Sequence, residues 1–161
     1  MEEKEFRQRV MPLQRRMYAM ALKLGMPPDD AADAVQETQL KLWRGKAGIP
    51  DDSGGLTAYC LTALRNECIS FLRKKKELSS LDSLNMVGIE PETVDIIEPQ
   101  KRIEILIDSL PEGQKKVIRL SSFGGYEIQE ISEATGFTPG NVRQLLSRGR
   151  KRLRDLLNRE T

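Results

Sequence analysis

The stretch from Glu77 to Pro99 constrains this chain most. It mixes serines, acids, two prolines and a glycine with few apolar residues at any steady interval, which suits a flexible connection better than a packed core. It splits the 161 residues into two segments, each near the lower limit for an independently stable helical unit. The organisation expected is a unit over 1–76, a flexible linker over 77–99 and a second unit over 100–161.

Both segments carry helical periodicity. Phe6, Val10, Leu13, Met17, Ala21 and Leu24 recur at three and four residues, which predicts one amphipathic helix stopped by Gly25 and the Pro27-Pro28 pair. Asp29 and Asp30 offer a side-chain cap and favourable charge to the next helix, which runs through Val35 and Leu42 to about Trp43. Glycines, a proline and two aspartates make 45–55 a loop. From about Leu56 to Lys76 a third helix buries Leu56, Cys60, Leu64, Cys68, Phe71 and Leu72, while Thr62, Asn66, Ser70 and Arg73 form a separate polar stripe. Beyond the linker, Ile103, Leu106, Ile107 and Leu110 predict a helix that ends at Pro111, and Val117, Ile118 and Leu120 face inward from the next. Strand-like alternation of useful length is missing throughout, so the fold class expected is all-α, two small helical domains joined by a flexible linker.

Charge narrows the function. The net charge is only +2, yet basic residues crowd into Arg73–Lys76 and Arg143–Arg154, two stripes that suit a polyanion. The chain has no histidine, which removes imidazole bases, the usual nucleophile pairs and zinc sites that need an imidazole. Cys60 and Cys68, on one helix, have Cα atoms about 12 Å apart at the usual rise and cannot bridge each other there. No leader and no apolar run of membrane-spanning length is seen, so a reducing cytoplasm is the expected location.

The segment Tyr126 to Arg148 reads as helix, tight turn, helix. Ile128, Ile131 and Ala134 form the first apolar face, and Gly136 stands where the turn needs a left-handed residue. Thr138 and Pro139 open the second helix as N-cap and first helical residue, and Val142, Leu145 and Leu146 pack it inward. Asn141, Arg143, Gln144, Ser147 and Arg148 stay on the outer side, and these residue types hydrogen-bond base edges and phosphates in a major groove. The basic tail Arg150, Lys151, Arg152 and Arg154 agrees with DNA as the polyanion. Against such a partner, the acids from Glu90 to Glu98 would avoid DNA and shield basic surfaces in the free protein.

Taken in order, these motifs resemble the extracytoplasmic-function sigma factors, whose two helical domains are regions 2 and 4. The stretch Asp33-Ala34-Val35-Gln36-Glu37-Thr38 through Leu40 to Trp43 is similar to the region 2 helix that binds bacterial core RNA polymerase, which implies Asp33, Gln36 and Glu37 as contacts. Tyr59 to Arg73, with Arg65-Asn66 and Phe71-Leu72-Arg73-Lys74, is similar to the helix that reads the minus-ten promoter element. The resemblance implies Thr62, Arg65, Asn66, Ser70, Arg73 and Lys74 on that DNA, with a flipped base taken by the loop over 45–55. Leu110-Pro111, Gly125 to Gly136, Asn141-Val142-Arg143 and Arg148-Gly149-Arg150 are similar to region 4, which implies Asn141, Arg143, Gln144, Ser147 and Arg148 on the minus-thirty-five element. Tyr59 replaces a frequent tryptophan, Gln39 an aromatic, Ser70 an aspartate, Leu145 an arginine and Gly149 an alanine. The function implied is an alternative sigma factor that directs initiation, with no catalytic residue, metal, cofactor or small-molecule substrate, and with a membrane-held anti-sigma protein as a further partner.

Two other classes stand beside it. A helix-turn-helix regulator that acts without polymerase would share the C-terminal motif, but its first domain would need a ligand pocket or phosphoacceptor. An enzyme would have to be built on Asp29, Asp30, Asp33 and Glu37 as a metal cluster. The helix dipole and a partner-binding face account better for these carboxylates, and no second helix is spaced to complete a di-metal site.

Overall fold

The structure, a computed structural model, describes residues 1–78 and 99–160. All regular elements among these residues are helical, and the chain divides into two compact units, 1–83 and 84–161.

In the first unit the helix expected from Phe6 to Leu24 is broken. Helix α1 spans Glu3–Arg9, a 3₁₀ turn spans Met11–Leu13 and α2 spans Gln14–Lys23. Pro12 is the cause, because it lacks a donor and its ring crowds the preceding turn. The apolar face survives the break, since Phe6, Val10, Met17, Ala21 and Leu24 are all buried. Helix α3 spans Pro28–Arg44, and its N-cap is Pro27, with no side-chain cap. The expected Asp29/Asp30 cap is therefore corrected: both acids lie inside the first turn, where they act on the helix dipole rather than on a vacant N–H.

The 45–55 loop holds a 3₁₀ turn at Lys46–Gly48, and α4 spans Ser53–Leu78, starting three residues before the expected Leu56. Asp52 permits the early start, its carboxylate accepting the Gly55 N–H at 2.7 Å. Leu56, Cys60, Leu64, Cys68 and Leu72 are buried against α2 and α3, Phe71 is half-buried, and Ile69, outside both expected stripes, is buried as well. The expected linker loses Glu77 and Leu78 to α4 and Pro99 to α5; the rest of it, with the Glu90 to Glu98 acids, lies outside the described residues.

In the second unit α5 spans Pro99–Asp108, α6 Glu112–Ser122, α7 Ile128–Thr135 and α8 Pro139–Glu160. Val117, Ile118 and Leu120 are buried as their spacing predicts. Ile103 corrects the pattern: it is 44% exposed, while Ile107 and Leu110 are buried. Helix α5 packs on α6 and α8, and the residues it buries, Ile107 and Leu110, lie at and just beyond its C-terminal end. Two charged residues that spacing alone leaves unremarked, Lys115 and Arg119, are buried on α6, and Arg119 donates to the Asp108 carboxylate on α5.

Candidate nucleic-acid interface

The second unit builds its polar face by local chemistry. Glu127 and Glu130 form a reciprocal capping box at the start of α7, with the Glu127 N–H donating to Glu130 Oε1 at 3.0 Å. Gly136 closes α7 at φ 81°, in the left-handed region. Ser132 Oγ donates across the turn to the Phe137 carbonyl at 2.6 Å. Thr138 Oγ1 then accepts the Asn141 N–H at 3.1 Å, the N-cap expected of it, and Pro139 is the first residue of α8.

This geometry fixes the rotation of α8. Val142, Leu146 and Gly149 are buried and Leu145 is half-buried, while Asn141, Arg143, Gln144, Ser147 and Arg148 are all exposed. The structure thus brings all five named residues onto one solvent-facing side, two turns deep, directly behind a capped helix start. Arg150 continues the basic side and reaches Ser121 Oγ on α6 at 3.3 Å. Gly149 also acquires a reason: a Cβ there would stand 2.5 Å from Ile118 Cδ1, so α6 and α8 approach closely at that point.

The first unit presents its polar residues less openly. Thr62, Asn66 and Lys74 on α4 are exposed, whereas Arg65, Ser70 and Arg73 are half-buried, with the buried Ile69 among them. Two ion pairs tie α4 to α3. Lys41 meets Glu67, which raises the lysine's pKa through the hydrogen bond and charge of that carboxylate, and Lys75 meets Asp30 at 2.6 Å. Lys75 of the Arg73–Lys76 run is therefore already committed to an acid. On α3, Asp33 and Gln36 are exposed and Glu37 is half-buried. Leu40, one turn on and 49% exposed, extends this side; the exposed apolar residue at that spacing is a signal that sequence reading passed over.

The loop between α3 and α4 is held from several directions. The Trp43 ring meets Phe6 edge-on, centroids 5.2 Å apart, and Lys46 Nζ lies 3.7 Å from its centroid. Arg9 Nη2 donates to the carbonyls of Pro50 at 2.8 Å and Asp51 at 2.6 Å. Both cysteines are free and buried, and burial pushes the thiols up, Cys68 to about 12. They stay protonated and serve as core. Among the described residues, no three or more carboxylate or thiol side chains gather to hold a metal, and no helix is long and apolar enough to cross a membrane.

Comparison with known proteins decides between the classes. The family model for Sigma-70 region 2 matches residues 10–77, and that for Sigma-70 region 4 matches residues 100–153. The chain belongs to the sigma-70 family, as a sigma factor of the extracytoplasmic-function type. It is 28% identical over 137 residues to the ECF RNA polymerase sigma factor RpoE of Cereibacter sphaeroides, covering 83% of this chain and 75% of the relative. To the ECF sigma factor SigK of Mycolicibacterium vanbaalenii it is 20% identical over 149 residues, 88% of this chain and 76% of the relative. The solved structure of the sigma factor RpoE in complex with the anti-sigma factor NepR from Bartonella quintana matches with a TM-score of 0.56 at 28% identity, covering 96% of this chain and 98% of that one. This sigma factor is thus a transcription initiation factor. A region 2 match in the first unit weighs against a regulator that acts without polymerase.

Proposed function

We propose that this sigma factor works in the cytoplasm as a two-handed promoter reader, region 2 over 1–76 and region 4 over 100–161, carried by bacterial core RNA polymerase. Asp33, Gln36 and Glu37 on α3 engage the polymerase. Thr62, Arg65, Asn66, Ser70, Arg73 and Lys74 on α4 meet the minus-ten element, and the 45–55 loop receives an unpaired base from it. Asn141, Arg143, Gln144, Ser147 and Arg148 on α8 read the minus-thirty-five element. Each hand alone binds weakly, and holding both on one polymerase makes the second contact intramolecular. An anti-sigma protein, of the kind that binds the solved relative, is the partner that would hold the free factor inactive.

The observation that carries this reading is the exposure of all five hydrogen-bonding side chains behind the capped start of α8. Arginine there suits the bidentate guanine edge and the phosphates. The test is the double substitution R143A/R148A in reconstituted holoenzyme. Each arginine contributes about 1–3 kcal/mol to such contacts, so promoter affinity should fall by roughly a hundredfold or more while association with core polymerase stays intact. Loss of polymerase association would refute the division of labour. Salt gives a second readout, because fewer phosphate contacts flatten the dependence of affinity on ionic strength.

A further inference from the structure

Helix α1 lies outside the residues that match region 2, which begin at residue 10, yet it grips both ends of the loop between α3 and α4. At the entry, Phe6 packs edge-on against Trp43, and the Trp43 ring in turn carries Lys46. At the exit, one guanidinium nitrogen of Arg9 donates to two successive carbonyls, Pro50 and Asp51. Arg9 Nη1 lies 3.4 Å from Glu5 on its own helix, which steadies the side chain. The Arg9 side chain is 21% exposed, and its charge-assisted bond to Pro50 is partly shielded from water while that to Asp51 is exposed. Between the two grips, Ile49 is buried, and Tyr59 hydroxyl lies 3.5 Å from where a Gly48 Cβ would stand. Arg44, Gly45, Ala47 and Gly48, between the two grips, remain open to solvent.

We propose that α1 braces this loop, and that Arg9 is the positioning residue that holds it in the shape that receives the unpaired minus-ten base. The inference rests on the reading of the loop given above. A loop that had to be ordered at the moment of capture would lose binding energy to that ordering, and a preset one does not. Arginine is required because its rigid plane aims the two N–H bonds of Nη2 at the two carbonyls while Nη1 is held by Glu5, whereas the lysine ammonium is a mobile point charge with no second nitrogen to anchor it.

The test uses holoenzyme containing the full chain, with promoter fragments recovered by the wild-type holoenzyme and each minus-ten position replaced in turn by the other three bases. The readout is the rate of strand opening, followed by permanganate reactivity, for Arg9→Ala, Arg9→Lys and a serine loop variant, Lys46→Ser with Ala47→Ser and Gly48→Ser. Both Arg9 variants should lose roughly tenfold in discrimination at one position, in keeping with what a small misplacement costs a positioned site. Core polymerase affinity and the Trp43 fluorescence melting transition should not move. Equal slowing on every template, or restoration by lysine, overturns the brace. If the serine loop loses discrimination while both Arg9 variants keep it, the brace alone is overturned. If the serine loop keeps it, the reading of the loop falls and the brace with it. Should Arg9→Ala lower the melting transition, Arg9→Lys carries the same comparison.

Discussion

Regions 2 and 4 each build their core on one long helix, which the function proposed above also makes the DNA reader, but they lock that helix differently. In region 2, α4 buries a continuous stripe with two thiols in it, and its polar side is half-covered and edged by ion pairs to α3. In region 4, α8 buries Val142, Leu146 and Gly149 among its described residues, all five named polar residues on its other side are exposed, and a buried ion pair, Arg119 with Asp108, joins α5 and α6 instead. On the proposed assignment, region 4 therefore separates reading from stability, while region 2 makes the same helix side serve both.

The largest effect should come from the ion pairs. Asp108→Ala leaves the Arg119 guanidinium, 5% exposed, without that carboxylate; removing one partner of a buried pair costs about 3 kcal/mol. In a unit this small such a loss lowers the melting midpoint by roughly 10 °C or more. Asp30→Ala removes a pair whose side chains are 22% and 37% exposed, and screening limits its cost to about 1 kcal/mol or less. The chain has one tryptophan, Trp43, so its fluorescence follows region 2 and far-ultraviolet circular dichroism follows both regions. Asp108→Ala should produce an early loss of helix signal with the Trp43 transition unmoved. Equal shifts from the two substitutions would erase the contrast.

What the sequence made legible follows the range of the interactions. The helix-turn-helix was readable because Gly136, Thr138 and Pro139 act on their immediate neighbours. The break at Pro12 was hidden because the 3₁₀ turn keeps Phe6, Val10 and Met17 in one apolar face. Contacts made at a distance left no periodic trace. Arg9 binds carbonyls 41 and 42 residues away, Lys75 meets an acid 45 residues away, and Arg119 looks like any solvated cation until α5 packs over it. The polar stripe of α4 is visible in the spacing, but the half-burial of Arg65, Ser70 and Arg73 and the burial of Ile69 beside them are not.

The thiols of region 2 sharpen the contrast further. Cys68 is held protonated by burial, its pKa raised from 9.0 to about 12. Above pH 9 the unfolded chain releases that proton and the folded chain keeps it, so region 2 loses stability as pH rises from 9 toward 12, by at most about 1.4 kcal/mol per pH unit for one proton. Cys68→Ala removes this dependence at the cost of a small cavity. Urea midpoints read by Trp43 should show wild type ahead at pH 8 and the gap closing by pH 10.5. A gap that stays constant would mean that the thiol is not shielded in solution.

The smallest effect tests the closure of region 4. Alanine is about 1 kcal/mol better than glycine inside a helix, yet a Gly149 Cβ would stand 2.5 Å from Ile118 Cδ1 and 3.4 Å from Gln114 Cβ. The obstructing atom is a terminal methyl, which can turn aside at a cost of about 0.5–1.5 kcal/mol in rotamer strain. Gly149→Ala should then change stability by less than about 1 kcal/mol, and Ile118→Val alone should cost about 1 kcal/mol. Together they should be more stable than their sum by at least about 0.5 kcal/mol, because valine lacks the methyl that the new Cβ meets. Additive values would mean that α8 moves away as a body. In that case the close approach of α6 and α8 would not be what locks region 4, and α8 would be held no differently from α4 of region 2.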